Sequence, residues 1–213
     1  MPKQTTMLSS LAYAELKERI AGMPSGQYLS ARQYSKELGM SYTPVREAFL
    51  KLQNEGILRQ VPNVGFFVAS PDIADMIQFF QVRECIEGFA LKKVFDKLRP
   101  EHLDRMRSCC DRQREALAQK DSYHAMLADE EFHRIPLELL GNSVLLSTYE
   151  SIRSQYMLCI SVLANSDYDL GESGHRRIIE LIESGDRDGA LEELTRHIAE
   201  AKAQLLESYM TRK

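Results

Sequence analysis

The chain has 213 residues, of which 44% are hydrophobic and 27% charged, and a formal net charge of −4. This is the composition of a globular protein with room for one large or two modest domains, and it excludes a disordered or low-complexity chain. The apolar runs are too short and interrupted to span a bilayer, and the opening MPKQTTMLSS lacks a signal-peptide core, so a cytoplasmic protein without a membrane partner is expected. Four cysteines without a CxxC pair are expected as reduced thiols in a helical core. Residues 1–70 carry eight Lys or Arg against five Asp or Glu, and the rest 19 against 26, so a weakly basic segment precedes an acidic remainder.

The spacing predicts a short helix from Ser30 to Leu38 (SARQYSKEL), stopped by Gly39, and a second from Ser41 to Gly56. Ser41 is an N-cap, Pro44 fits a first turn whose N–H has no partner, and Gly56 can adopt the left-handed conformation that ends a helix. Gly39-Met40-Ser41 is then the turn of a helix–turn–helix. Val45, Phe49, Leu50 and Leu52 form the inward stripe, while Tyr42, Thr43 and Arg46 gather at the N-terminal end, where a recognition helix meets base edges and phosphates. Ile57–Val61 and Phe66–Ala69, rich in β-formers, flank Pro62-Asn63-Val64-Gly65 and read as a hairpin, which in this place is a wing. Double-stranded DNA is the partner this arrangement calls for, and the basic excess falls in the same segment.

Ser70-Pro71 breaks the pattern and places a domain boundary near residue 71, with a winged helix–turn–helix over 1–70 and a helical domain over 71–213. Helices are predicted over 72–98, 101–119, 121–140, 143–165, 173–184 and 187–210, with a polar connection from Asn165 to Gly171. The fold class is thus mainly α, the second domain being an antiparallel bundle of about six helices. Asp129 and His133 lie four apart, on one helix face. Alone, that pair is open between an Asp–His hydrogen bond, a satisfied core histidine and a metal site, with the first two favoured. His175 and His197 fall ten residues before and twelve after Gly185 on successive helices, and antiparallel packing brings such positions level. His102 and His124 read as ordinary exposed or half-buried residues, and Met106, Met126 and Met157 as helix packing.

Residues 11–69, with AYAELKERI, the Pro24-Ser25-Gly26 turn, LGMSYTPVREAFLKLQNEGIL and NVGFFV, resemble the winged helix–turn–helix of the GntR family of bacterial transcription regulators. The resemblance implies DNA contacts from a basic residue of the second helix, the start of the third, and a wing-tip glycine. Those positions hold Arg32, Ser41-Tyr42-Thr43-Pro44-Val45-Arg46 and Gly65. Tyr42 stands where the family usually has arginine, and Val64 where a basic residue often precedes the wing glycine, so an operator sequence does not transfer from better-known relatives.

The DxxxFH segment, a histidine opening the penultimate helix, the Gly185-Asp186 turn followed by Ala190, a histidine in the last helix, and Arg83 and Glu87 in VRECIEGFA resemble the FCD effector domain of FadR-type members. This resemblance implies a divalent metal ion on Asp129, His133, His175 and His197. Three imidazoles and a carboxylate suit zinc, nickel, cobalt or manganese alike. It also implies a small organic acid as effector. A palindromic operator mirrors a twofold protein, so a homodimer is expected, read here as a repressor. Arg83 is the candidate for the acid's carboxylate, with an Arg83–Glu87 surface pair as the alternative. Arg153, Gln155 and Tyr156 are further candidates for the effector pocket from their place in the helix after Asn142. Pro136, three residues past His133, removes one backbone hydrogen bond and is expected to kink its helix there. The competing functions are the same DNA-binding protein with a purely structural metal, and a metal-dependent hydrolase or lyase with Glu130 or Glu131 as base. The second is disfavoured because both glutamates point away from the Asp129–His133 face, and no catalytic residue is assigned.

Overall fold

The computed structural model describes residues 2–21, 23–69, 72–161 and 172–211, with side chains for all of these except 2–6, 21, 154–161, 172 and 211. They form two compact units. One holds the residues through Asp72 and those from Ser151 to Ser161; the other holds Ile73–Glu150 and the residues from Glu172 onward.

The first unit runs α1 (Pro2–Ala21), β1 (Tyr28–Leu29), α2 (Ala31–Glu37), α3 (Tyr42–Asn54), β2 (Leu58–Val61) and β3 (Gly65–Val68). Ser30 caps α2 by accepting the Gln33 N–H, and Gly39, at φ +62°, turns the chain out of it. Ser41 occupies the N-cap of α3 with extended backbone but makes no side-chain cap bond. Gly56, at φ +74°, ends α3, and the Ile57 N–H returns to the Leu52 carbonyl. The buried face of α3 is Pro44, Val45, Ala48, Phe49 and Leu52, whereas Leu50 is only half-buried. Phe49 is the centre of the core, with the Tyr34 ring 5.8 Å and the Phe66 ring 4.9 Å away. Ala12, Leu16 and Ile20 of α1 close the same core. The sheet order is β1–β3–β2, antiparallel throughout. β1 was not expected, because two residues show no alternation. Gly65 opens β3 opposite Val61 rather than sitting at the tip, where Asn63 takes the positive φ of 61°.

The second unit contains α4 (Ile73–Val94), a 3₁₀ turn (Phe95–Lys97), α5 (Pro100–Ala118), α6 (Ser122–Leu140), the first part of α7 (Ser143–Ser161), α8 (Glu172–Glu183) and α9 (Arg187–Thr211). Helix α6 packs against α5 and α4, α9 against α4 and α8, and α8 against α5. Helix α6 continues through buried Pro136 to Leu140, so the loss of one N–H does not end it. The Asn165–Gly171 connection lies outside the described residues. Cys109 and Cys110 are buried as expected, but Cys85 is exposed on α4. Among the described residues no helix is long and apolar enough to cross a membrane.

Gly65 is required by its surroundings. Its φ is +149°, and a Cβ there would lie 2.6 Å from Tyr28 Cε2. Gly65→Ala is therefore expected to destabilise the first unit by about 1–3 kcal/mol, and Tyr28→Ala in the same chain should recover the steric part. Denaturant unfolding checks this; unchanged stability of Gly65→Ala would remove the Tyr28–Gly65 contact as a constraint.

Candidate metal centre and nucleic-acid interface

Asp129 and His133 project from α6, His175 from the start of α8 and His197 from α9, and all four are buried. Their ligand-type atoms lie within 4.8 Å of one another. His133 Nε2 is 3.1 Å from His175 Nε2 and 3.2 Å from His197 Nε2. Asp129 Oδ1 is 3.4 Å from His175 Nε2 and 3.9 Å from His133 Nε2. Nitrogen donors sharing one ion at bonds of about 2.0–2.1 Å stand roughly 3.0–3.4 Å apart. The donor set and its spacing therefore fit a divalent ion.

Local structure explains the convergence. The i, i+4 spacing stacks Asp129 and His133 on one face of α6. The turn at Gly185, φ +76°, folds α8 back on α9 and brings the His175 and His197 rings to 4.3 Å. Gly174 permits that approach, because a Cβ there would lie 2.9 Å from His197 Nδ1. Phe132 stacks on His175 with ring centroids 4.1 Å apart.

A shell of buried polar groups surrounds the cluster. Glu87 Oε2 is 2.8 Å from His133 Nδ1, and Glu87 Oε1 accepts from Arg83 Nε at 2.7 Å. Tyr149 also bonds Glu87. Gln113 Oε1 is 3.0 Å from His175 Nδ1, and the same side chain bonds Asp129. Arg83 and Glu87 do pair, but at 3% and 2% exposure the pair is internal rather than on the surface. The reason is that both lie on the apolar face of α4 that carries Met76, Phe80, Ala90 and Val94.

Burial, reinforced by the other imidazoles and Arg83, pushes His175 and His197 well below the ordinary histidine value, so both are held in the neutral, ligating form. Burial raises Asp129. Against the same upward push, Arg83 and then His133 hold Glu87 down at about 2. Burial lifts Tyr149 well above the usual phenol range and keeps its proton on.

In the first unit, Arg32, Tyr42, Arg46 and Gly65 line one open concavity with Tyr28, Gln60 and Asn63. Ser41 and Thr43 are exposed at the start of α3 beside it. The N-terminal ends of α2 and α3 and the wing thus present two guanidinium groups and two exposed phenols to one surface, with Val64 exposed on the wing. Tyr28 was not foreseen there. It is half-exposed and packs edge-on against Phe67, 5.5 Å between centroids.

Of the expected effector contacts, Arg83 is beside the metal cluster, Arg153 is half-buried and belongs to the first unit, and the side chains of Gln155 and Tyr156 lie outside the described residues. Glu131 bonds Arg112 at 2.7 Å, and neither it nor Glu130 belongs to the four-residue cluster. Gln113, Tyr149 and Gly174 were missed. Gln113 had a signal, as a polar residue on the buried stripe of Leu103, Met106, Cys110 and Ala116.

These pKa shifts set the acid sensitivity of the metal-free protein. His175 and His197 titrate lower when folded, so below about pH 6.5 the unfolded chain takes up protons first and stability falls. Glu87 adds to the loss as pH drops from its ordinary 4.5 towards about 2, while Asp129, shifted up, opposes it. The melting temperature of chelator-treated protein should fall between about pH 7.5 and about pH 5.5, and His175→Phe should flatten the dependence. A parent melting temperature independent of pH over that range would contradict neutral buried imidazoles.

Comparison with known proteins gives the same two-part division. Residues 78–200, more than half of the chain, match the FCD domain, and residues 8–68 match the bacterial regulatory proteins of the gntR family. The chain is 28% identical over 199 residues to the "Probable D-xylose utilization operon transcriptional repressor" of Paenarthrobacter nicotinovorans, covering 92% of this chain and 87% of that one. It shares its fold with E. coli McbR/YncC at a TM-score of 0.84 and 19% identity, covering 95% and 98% of the two chains. The Zn2+-bound FCD domain of TM0439 aligns at a TM-score of 0.55 and 26% identity, covering 67% of this chain and 99% of that domain. The chain therefore belongs to the GntR family of bacterial transcription regulators, in the group that joins a winged helix–turn–helix to an FCD domain.

Proposed function

We propose that this regulator is a homodimeric repressor that binds double-stranded operator DNA through Arg32, Ser41, Tyr42, Thr43, Arg46 and Gly65. In this reading a small organic acid, bound at a divalent ion on Asp129, His133, His175 and His197, controls its affinity for the operator. The observation that carries the reading is the meeting of three imidazole nitrogens and one carboxylate oxygen inside the second unit. Burying four such groups without an ion to share them forfeits their hydration for little return. When bound, the ion supplies a Lewis-acidic centre to which an anionic oxygen can attach. Asp129 and Glu87 contribute two negative charges and Arg83 one positive, so a divalent ion leaves one positive charge in excess. A carboxylate neutralises that excess, and Arg83 is its proposed guanidinium neighbour.

The names of relatives support the two halves of the reading. A related chain is named as an operon repressor, and a related FCD domain is described as Zn2+-bound. The paired heads of a dimer suit a palindromic site, and joining two weak grips multiplies affinity without new contacts. An effector moves DNA affinity only as far as it favours one dimer arrangement over another, so control requires the acid to bind the two arrangements unequally.

The test uses the full chain with a duplex of its own upstream region and a panel of small hydroxy- and keto-acids. The parent protein loaded with zinc or nickel should bind the duplex and release it with one of the acids, whereas chelator-stripped parent and His175→Ala should bind DNA without responding. Arg46→Ala should lose DNA affinity, with a salt slope smaller by about 1 if Arg46 meets a phosphate. An acid that binds and acts equally well without metal would reduce the ion to a structural part. Undiminished affinity and specificity in Arg46→Ala would remove α3 from the interface.

A further inference from the structure

Two ligand imidazoles have their tautomer dictated from behind. His133 Nδ1 faces Glu87 Oε2 at 2.8 Å, and Glu87 is paired with Arg83. A carboxylate only accepts hydrogen bonds, so the neutral His133 ring that can ligate a metal carries its proton on Nδ1 and keeps its lone pair on Nε2. Gln113 does the same for His175 by a neutral route. Its amide also bonds Asp129, and a carboxylate takes only the N–H side, which turns Gln113 Oε1 towards His175 Nδ1 at 3.0 Å. His175 then also presents a bare Nε2, 3.1 Å from the bare Nε2 of His133.

Two acceptors at that distance cannot bond each other. In the absence of a cation they repel, and the surrounding packing holds them there: Phe132 stacks on His175, Gln113 is fully buried, and Tyr149 bonds the Glu87 carboxylate. A cation placed between them turns that repulsion into coordination. The cost of choosing a tautomer and turning each ring is thus met during folding rather than on binding.

We propose that Glu87 and Gln113 are positioning residues of the metal centre, each fixing one ligand imidazole in its Nδ1–H form so that the Nε2 lone pairs of His133 and His175 converge in advance. This rests on reading the cluster as a metal centre. It separates the role of Glu87 from that of a simple partner for Arg83, and it gives Gln113 a part that an uncharged core residue would not have.

The test combines nitrogen NMR of histidine-labelled, chelator-treated full-length protein near neutral pH with calorimetric titration by zinc(II). In the parent protein His133 and His175 should both be in the Nδ1–H form. Gln113→Leu should return His175 to a mixture of tautomers and weaken zinc binding by roughly 10–100-fold. In Glu87→Gln, where Arg83 Nε keeps the amide oxygen and the amide N–H side is left to meet His133 Nδ1, His133 should leave the Nδ1–H form with a similar loss. A residue with a merely structural role would not move the tautomer populations. Glu87→Gln keeps the side-chain volume, so it carries the test if Gln113→Leu does not fold. Parent-like tautomers and zinc affinity within about twofold of the parent's in a folded variant would overturn the proposal alone. A parent chain that takes up no zinc, nickel, cobalt or manganese would overturn the metal-centre reading and this proposal with it.

Discussion

The second unit is organised around the burial of one carboxylate and three imidazoles against each other. In water each of these groups is well solvated, and inside the bundle each has at most 5% of its surface exposed. Groups buried this deeply need polar neighbours, and a further ring of buried polar residues stands behind the cluster. Glu87 Oε2 faces His133 Nδ1, Gln113 Oε1 faces His175 Nδ1, Arg83 pairs with Glu87, and Tyr149 adds its hydroxyl. These residues come from α4, α5, α6, α7, α8 and α9, so each helix of the bundle contributes a residue to the centre or to its supports. Removing a single partner leaves a charge or an N–H stranded in an apolar interior, a far larger effect than the same change on the surface.

The first unit has a different constraint. Its fold is small, and its core is drawn from three helices and the wing packed around Phe49. Outside that core, the starts of α2 and α3 and the wing share one concave face carrying Arg32 and Arg46. Tyr42 adds an exposed aromatic ring to this face. Tyr28 fills the space beside Gly65 and so fixes the path of the wing.

Much of this was legible in the residue order. The limits of α3 followed from Ser41, Pro44 and Gly56, since caps and a left-handed glycine are local requirements. The level placement of His175 and His197 followed from counting outward from Gly185, because a tight helical turn preserves register. Other features depended on the third dimension. An i, i+4 Arg83–Glu87 pair is written identically whether exposed or buried, and only the apolar residues flanking it on α4 distinguish the cases. Gly174 is needed because α9 crosses it, and Tyr149 reaches Glu87 from another helix; neither leaves a local pattern. β1, at two residues, is made a strand by its neighbour β3 and not by its own composition.

X-ray absorption at the edge of whatever metal co-purifies in the absence of chelators decides whether the buried cluster is a metal centre made of nitrogen and oxygen donors. A metal centre on Asp129, His133, His175 and His197 gives one ion per chain, a shell of nitrogen and oxygen only, and the multiple-scattering signature of about three imidazoles. A sulfur shell, which would move the ion to cysteines such as Cys109 or Cys110, or the lack of any stoichiometric ion in protein also offered zinc, nickel, cobalt and manganese, would contradict it.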